Sequence, residues 1–206
     1  MPKPGERSFN GWGPFTFGMT FEDALTAHSA VEWDPKSSAR CREEMRRKGC
    51  TLIPAAGSRV PLTAGVALLP TVIFNREGKL AGVRLGKFLR GETELAECEG
   101  DYGRLADHLY DRWGAPTASS SEQGAAPPRS TPKGRRYSLR TTGGGAAAGS
   151  ETFAVQPDGR KILLLLNHVG ATNPATAVCH LSIYYRGPES LQPPAEERPH
   201  PLKNWY

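Results

Sequence analysis

The sequence lacks the hydrophobic segments that would indicate a membrane span or an export signal. Its longest uninterrupted apolar run, Ile162–Leu166, has the length of a strand, whereas a transmembrane helix needs about 20 apolar residues. The first residues, Met-Pro-Lys-Pro-Gly-Glu-Arg, are polar and contain no apolar stretch of the kind found in signal peptides. We therefore expect no transmembrane segment, and either a cytoplasmic protein or the mature form of an exported one.

Common signatures of catalysis and metal binding are also missing. The chain has no Gly-x-Ser-x-Gly segment, no His-x-x-x-His pair, and no Gly-Lys-Ser/Thr ending to its glycine-rich tract. We expect no metal, no cofactor and no enzymatic activity. A hydrolase remains an alternative, because His180 and Ser182 lie two residues apart on one predicted strand face. Asp101 and Asp158 fall at predicted helix-start or turn positions, where carboxylates cap backbone N–H groups.

Acidic residues are outnumbered by basic ones, and the formal net charge is +5. The basic excess lies in two segments, residues 36–48 and 129–140. No platform of aromatic residues is interleaved with these charges and no nucleic-acid-binding motif is present, so we interpret them as solvated basic surface. We expect no nucleic-acid partner. A cytosolic, basic nucleic-acid-binding protein remains a further alternative, which a steep salt dependence of binding would mark.

The four cysteines are the best indicator of the cellular compartment in which the protein folds. None of them forms the Cys-x₂₋₄-Cys pair typical of zinc sites. Two disulfides are the favoured interpretation, with free buried thiols and a metal site as the alternatives. Because disulfides are typical of oxidising compartments, we expect a periplasmic or secreted protein.

The pairing of the cysteines follows from their predicted positions. Cys179 lies on the apolar face of a predicted strand, and Cys98 lies in the first turns of the helix predicted to cover that face. This favours a Cys98–Cys179 bridge and leaves Cys41 to pair with Cys50. The second bridge conflicts with a helix predicted over residues 36–48, since nine residues of helix rise about 13 Å whereas bridged Cα atoms lie within about 7 Å. We expect either the bridge or the continuous helix to fail.

The chain length, the periodicity and the turn residues predict a single domain of helices and strands over residues 1–186. Residues 13–25 predict a strand, a tight turn and a helix capped by Thr20. Residues 93–113 predict an amphipathic helix that ends at Gly114. Strands are predicted over residues 135–140 and 161–169, among others. Residues 117–134 are predicted to be a disordered loop, and 187–206 an extended C-terminal tail.

Three short segments, in this order, resemble a family of bacterial envelope domains. Phe17-Gly-Met-Thr-Phe-Glu-Asp-Ala24 resembles its Phe-Gly-Met-Ser/Thr signature, Phe74-Asn-Arg-Glu-Gly-Lys-Leu80 its hairpin, and Trp113-Gly-Ala-Pro116 its helix end. The family includes the small lipoprotein of the outer-membrane assembly machinery and the β-lactamase-inhibitor-like domains. The resemblance implies an exported α+β domain, in which helices pack on one face of an antiparallel sheet, that binds other proteins or envelope components. The sequence departs from the family in having no lipobox cysteine near its start and one apparent copy of the unit.

The cysteines and the resemblance together predict a non-enzymatic, exported module that binds a protein or a cell-envelope component. Three tryptophans are candidate contact residues: Trp12, Trp33 and Trp205. For Trp12, a position in the hydrophobic core is the favoured alternative.

Overall fold

The computed structural model describes residues 8–63, 65–90, 92–122, 146–169 and 178–193, without the side chains of 92–96, 99, 119–122, 146–149, 168 and 169. Within these ranges the chain forms an α+β fold stapled by two disulfides, as the sequence predicts. The helices are α1 (Phe21–Thr26), α2 (Pro35–Lys48) and α3 (Glu92–Trp113). The strands are β1 (Gly11–Trp12), β2 (Phe15–Thr16), β3 (Cys50–Leu52), β4 (Val60–Thr63), β5 (Val66–Phe74), β6 (Leu80–Arg90), β7 (Ala118–Glu122), β8 (Ala146–Phe153), β9 (Lys161–Val169) and β10 (Val178–Arg186).

Eight strands form one antiparallel sheet in the order β3-β5-β6-β10-β9-β8-β7, and β4 pairs with the opposite end of β5 from β3. Strands β1 and β2 form a separate hairpin. The last of the described strands, β10, lies in the middle of the sheet and pairs with β6 and β9 along its whole length. β10 therefore joins the two halves of the sheet.

The helices lie on one face of this sheet. α3 contacts β6, β10 and β9, and the strand side chains on its side form the core. Alternate residues of β5 are buried and half-buried along the whole strand, as expected where one face is packed and the other is not. The fully buried core residues on these strands include Leu68, Val83, Leu85, Leu164, Leu181 and Ile183.

The start of the domain follows the sequence prediction closely. The Thr20 side chain caps α1 by accepting a hydrogen bond from the Asp23 N–H. Phe15 is fully buried, and the ring of Phe21 packs edge-on against Phe74 with centroids 5.4 Å apart. The strand, turn and capped helix therefore bring the first part of the chain onto the helical side of the sheet.

Helix α2 and the Cys41–Cys50 disulfide are both present, so the expectation that one of them fails is wrong. The helix ends at Gly49, which has a φ of 75° that favours glycine. A Cβ at this position would lie 2.5 Å from the carbonyl oxygen of Phe74. The chain reverses at Gly49 and enters β3, which brings the Cα atoms of Cys41 and Cys50 to 5.2 Å. The distance expected from a continuous helix does not apply to Cys41 and Cys50, because the helix ends at Lys48, before the second cysteine.

The other disulfide joins the early part of α3 to the central strand β10. The Cα atoms of Cys98 and Cys179 are 6.4 Å apart, and both residues are buried. This confirms the predicted staple between helix and sheet. The bridge closes a separation of 81 residues, compared with 9 for the first disulfide.

A buried ion pair lies one helical turn from this disulfide. Asp101 is 0% exposed and accepts a hydrogen bond from the Lys87 ammonium at 2.7 Å and one from Arg104. Burial by itself lowers the pKa of Lys87, but the hydrogen bonds that its ammonium donates to Asp101 and Glu97 outweigh burial, so the net shift is upward. The interpretation of Asp101 as a capping residue is wrong, because α3 starts at Glu92 and places it in the helix interior, against β6.

Two segments predicted to be irregular are partly ordered. Within the predicted loop 117–134, residues Ala118–Glu122 form β7, an edge strand held by backbone pairing with β8 and carrying no apolar alternation. Within the predicted tail, residues 187–193 pack against the domain. Gln192 Nε2 donates to the Ala81 carbonyl at 2.8 Å, and Gly187 lies against the same carbonyl, where a Cβ would be only 2.6 Å away. Residues 123–134 and 194–206, and the strand predicted over 135–140, lie outside the described residues.

Candidate functional site

The structure brings two of the three candidate tryptophans together. Trp12 stacks on Phe15 and His28, with ring centroids 6.2 Å apart in each case, and Trp33 meets Phe15 edge-on at 6.0 Å. The indole N–H of Trp33 donates to the Leu25 carbonyl at 3.1 Å. Both tryptophans are half-buried and pack against the core. Their role in binding stays a prediction, and Trp205 lies outside the described residues.

The opposite face of the sheet has no helix over it in the described part of the chain, and we call it the uncovered face. Its side chains come from alternate positions of four neighbouring strands, which the pairing registers align. Phe88 is 50% exposed, which makes it one of the few large apolar side chains open to solvent in the described residues. The central positions of the uncovered face are Leu69 and Thr71 (β5), Gly82, Arg84, Gly86, Phe88 and Arg90 (β6), His180, Ser182, Tyr184 and Arg186 (β10), and Lys161, Leu163, Leu165 and Asn167 (β9).

Aromatic and cationic side chains alternate across the centre of the uncovered face. Arg84 is paired in register with Tyr184, and its guanidinium carbon lies 5.6 Å from the centre of the Tyr184 ring. Phe88 is paired with His180, and their rings meet edge-on at 6.0 Å. Arg90 lies over the Phe88 ring at 5.7 Å. Guanidinium groups over aromatic rings are mutually attractive, so these contacts order the row.

Two glycines in β6 leave room for the aromatic side chains of β10 to pack flat against the sheet surface. A Cβ at Gly82 would come 2.5 Å from the Tyr184 ring, so only a glycine leaves room for that ring. A Cβ at Gly86 would lie 3.8 Å from His180 Nε2, which shows that the imidazole leans toward β6. Gly86 is paired with Ser182, so two small residues face each other between the Phe88–His180 and Arg84–Tyr184 pairs.

The uncovered face is electropositive at its centre. In β5, β6, β9 and β10, its positions carry Arg84, Arg90, Lys161 and Arg186 and no aspartate or glutamate. Arg186 is paired with Glu189 in the following turn, at 2.9 Å. These strand positions therefore contribute basic groups only, which is chemically compatible with an anionic partner.

His180 and Ser182 share the uncovered face, as the sequence predicts, but they are not hydrogen-bonded to each other. Ser182 is 1% exposed, and its Oγ makes no hydrogen bond to any described residue. Burial, with a smaller contribution from the Arg84 charge, lowers the pKa of His180 to about 4. The charged residue that acts on the His180 imidazole is thus a cation, Arg84. A catalytic serine–histidine pair instead needs a hydrogen bond from the serine hydroxyl to the imidazole and a neighbouring group that stabilises the imidazolium.

Neither a metal site nor a membrane-spanning helix is found in the described ranges. No three His, Cys, Asp or Glu side chains there lie close enough together to hold a metal ion. All four cysteines are in disulfides. No helix in those ranges is long and apolar enough to cross a bilayer.

Sequence reasoning found His180 and Ser182 but missed the row in which they lie. The signal available was the alternation Gly82-x-Arg84-x-Gly86-x-Phe88, in which every second residue of a strand is either a glycine or a large polar or aromatic residue. Its partner strand has the alternation His180-x-Ser182-x-Tyr184. Only the register between two strands distant in sequence places these two patterns against each other.

Comparison with family models, curated proteins and solved structures gave no match to this chain. The resemblance to bacterial envelope domains therefore remains a prediction from the three short sequence segments.

Proposed function

We propose that this protein is a non-enzymatic, exported module that binds a protein or a cell-envelope component through the uncovered face. The observation that carries the proposal is the row of Arg84, Tyr184, His180, Phe88 and Arg90 on a sheet face that has no helix over it among the described residues. Arginine and aromatic side chains are the residue types that dominate binding energy at protein interfaces.

The two disulfides support an oxidising compartment, and we infer that it is the bacterial periplasm or the exterior of the cell. The disulfides close the helical side of the fold and leave the uncovered face free of covalent cross-links. A rigid sheet that presents an ordered row of side chains binds with a low entropic cost, because little has to be ordered on association.

Nucleic-acid binding is the second candidate, and one observation favours it. Sheets that bind single-stranded nucleic acids use aromatic rings and cations on an open face, and Phe88 and Arg90 offer that combination. The guanidinium groups already lie over the rings of Tyr184 and Phe88, which leaves less ring surface for a base. The disulfides also fit a cytosolic protein poorly.

The hydrolase alternative is supported less. For His180 to act as the base, its imidazole would have to accept a hydrogen bond from the Ser182 hydroxyl. The structure shows no such bond. A histidine beside Arg84 with a pKa of about 4 is also a weak base at neutral pH.

A position-specific photo-crosslinking experiment in living cells tests the proposal. A photoreactive phenylalanine analogue replaces Phe88, which is 50% exposed on the uncovered face, or, as a matched control, Val155, which is 51% exposed beyond the end of β8. We expect a discrete adduct at position 88 and none at position 155, recovered from the periplasmic fraction with both disulfides intact by non-reduced peptide mapping.

Equal adducts at both positions, or none, would contradict a binding role for the uncovered face. Recovery of the protein in the cytoplasm with four free thiols would contradict the exported location. An adduct that a nuclease removes would favour the second candidate.

A further inference from the structure

We propose that the exposed side of α2, together with a cleft beside the first turns of this helix, is a second interaction surface that binds an acidic polypeptide segment. An apolar side chain of that segment enters the cleft. This surface is separate from the uncovered face, so the inference goes beyond the proposed function. For residues 36–48 it replaces the interpretation as solvated basic surface.

Four charged residues lie in one line along the exposed side of α2, and we call this line the α2 stripe. Its members are all exposed: Lys36, Arg40, Glu43 and Arg47. Their spacing of four, three and four residues places them above one another on a helix, over a length of about 16 Å. The opposite side of the helix is buried and carries Ser37, Ser38 and Cys41. The α2 stripe therefore presents three cations and one carboxylate to solvent.

The cations of the α2 stripe make no ion pair with any described residue, since the ion pairs of this helix use other cations. Arg42 pairs with a glutamate of α1 at 3.2 Å, and Lys48 pairs with Glu44 at 3.0 Å. The hydrogen bond from Lys48 lowers the pKa of Glu44, and the nearby charges of Arg40 and Arg47 lower it further. The charged groups of the α2 stripe can therefore bind carboxylates of a partner without breaking a contact within the protein.

A cleft of about 350 Å³ lies beside the first turns of α2 and is lined by Asp34, Lys36, Ser37, Arg40 and Ile53. The Ile53 side chain is 39% exposed. Its backbone is held in place, because its N–H donates to Ser37 Oγ at 3.0 Å and its carbonyl accepts from the Asp34 N–H at 3.1 Å. The Asp34 carboxylate caps α2 by accepting from the Ser37 N–H at 2.8 Å.

The cleft thus combines one apolar side chain on a fixed backbone with two cations of the α2 stripe. Its volume lies at the small end of the range for ligand pockets, about 300 to 1,000 Å³, which suits a side chain better than a large cofactor. An apolar side chain that contacts Ile53 places its neighbours in the partner close to Lys36 and Arg40. Acidic residues at those neighbouring positions complement the cations.

The order of charges in the α2 stripe favours a polypeptide over a membrane or a nucleic acid. Glu43 lies between Arg40 and Arg47, so the stripe is positive, positive, negative and positive along its length. An anionic lipid surface or a phosphate backbone is negative throughout and repels Glu43. A polypeptide can place a neutral or basic side chain opposite Glu43 and acidic ones opposite the cations. It also supplies the apolar side chain that fits the cleft.

The test is site-specific photo-crosslinking of the full, oxidised chain in living cells, followed by identification of the cross-linked segment by mass spectrometry. A photoreactive phenylalanine analogue replaces Ala39, an exposed residue of α2 next to Arg40. We expect a protein adduct whose cross-linked segment has an excess of aspartate and glutamate and an apolar residue within a few positions. A synthetic peptide with the sequence of that segment is then the probe for binding to purified variants.

Arg40→Glu and Arg46→Glu are a matched pair of variants. Each replaces an exposed arginine of α2 that makes no ion pair with the described residues, and each changes the net charge equally. The two positions are six residues apart and point about 120° apart around the helix, so only Arg40 belongs to the α2 stripe. We expect Arg40→Glu to weaken peptide binding at least about fivefold, and Arg46→Glu to leave it within about twofold. Circular dichroism and intact mass under non-reducing conditions check that each variant is folded and oxidised.

Two further variants test the cleft and the order of charges separately. Ile53→Ser should weaken peptide binding several-fold, because the apolar side chain of the partner loses its contact. Glu43→Gln should weaken peptide binding or leave it unchanged, whereas it would strengthen binding to a uniformly anionic partner. Vesicles that contain an acidic phospholipid, and oligothymidylate, are measured alongside, and both should bind more weakly than the peptide.

Equal losses in the Arg40→Glu and Arg46→Glu variants would overturn the site, because general charge would then explain binding. The polypeptide assignment is overturned by an adduct that is a lipid or that a nuclease removes, by a cross-linked segment that is not acidic, or by tighter binding of Glu43→Gln. If an adduct forms at position 88 and none at position 39, this inference fails alone. An adduct at position 39 without one at position 88 would contradict the proposed role of the uncovered face and support the α2 surface.

Discussion

The two faces of the central sheet are built from the same strands but are held by different interactions. On the helical face, Leu181 and Ile183 of β10 are fully buried, the Cys98–Cys179 bridge joins helix to strand, and Lys87 and Asp101 form a buried ion pair. On the uncovered face, the alternate residues of the same strand contact arginines and aromatic rings. The stabilising contacts named here are therefore concentrated on the helical face, and the recognition role proposed above falls to the other face. The predictions below test this division in order of decreasing effect.

The largest effect is expected from the two disulfides, and it should differ between them. By loop-closure entropy, removing Cys98–Cys179 as a double alanine variant costs about 4.5 kcal/mol, and removing Cys41–Cys50 costs about 2.6 kcal/mol, since they close 81 and 9 residues. Urea unfolding of the two variants under oxidising conditions measures the difference. A larger loss from the Cys41–Cys50 variant would show that the helix-to-sheet bridge is not the main staple.

Breaking the buried ion pair should be nearly as severe. Asp101→Asn leaves the Lys87 ammonium, whose side chain is 8% exposed, without its buried charged partner and with only the half-exposed Glu97, at an expected cost of about 3 kcal/mol. Replacing both residues with apolar ones of similar size should restore most of the loss. The free energy of unfolding from denaturant titration distinguishes the two cases. If the double variant is as unstable as the single one, the charges themselves would not be the cause.

Two consecutive residues of β10 give the sharpest comparison of the faces. Leu181→Ala opens a cavity in the core and should cost about 3 kcal/mol. Ser182→Ala removes a buried hydroxyl that no described residue satisfies, so it should change the unfolding free energy by less than about 0.5 kcal/mol, or stabilise. A Ser182→Ala variant that loses as much as Leu181→Ala would show that the hydroxyl is part of the stabilising structure.

The smallest expected effect is a dependence of stability on pH that comes from His180. Its folded-state pKa of about 4 lies below the ordinary value of 6.5, so the unfolded chain takes up the proton first as the pH falls. This contribution is complete above pH 6.5 and is lost between about pH 6.5 and 4. As the pH falls across that window, the unfolding free energy of wild type should decrease relative to that of His180→Gln. A constant difference would mean that the imidazole is equally easy to protonate in both states.

The fold was largely predictable from the sequence because it depends on local patterns. The apolar stripe of α3 and the alternation in β10 place Cys98 and Cys179 on facing surfaces, so the bridge could be derived without coordinates. Residues 118–122 show the limit, since their small polar side chains carry no strand signal and only pairing with β8 makes them a strand. The chain reversal at Gly49 was missed for a different reason: one residue with a positive φ changed the direction of the chain.

The candidate site was less predictable than the fold. The pairing of Arg84 with Tyr184 and of Gly86 with Ser182 depends on the register between β6 and β10, which no local pattern specifies. Asp101 likewise appeared to be a capping residue because its partner, Lys87, lies on a separate strand. Residues that act through contacts distant in sequence therefore had to be found in three dimensions.

The central position of β10 has a consequence for how the chain assembles. Strands β3, β5 and β6 emerge early during synthesis, and β7, β8 and β9 follow, but in the described sheet the two groups are joined through β10, which emerges after all six. Until it inserts, β6 and β9 each present an unpaired edge of the kind that recruits other chains. A protein that crosses a membrane from its N-terminus would have to keep both edges apart from other chains until β10 arrives. Insertion of that strand also brings Cys179 to Cys98, so oxidation of this pair would report that the sheet is complete.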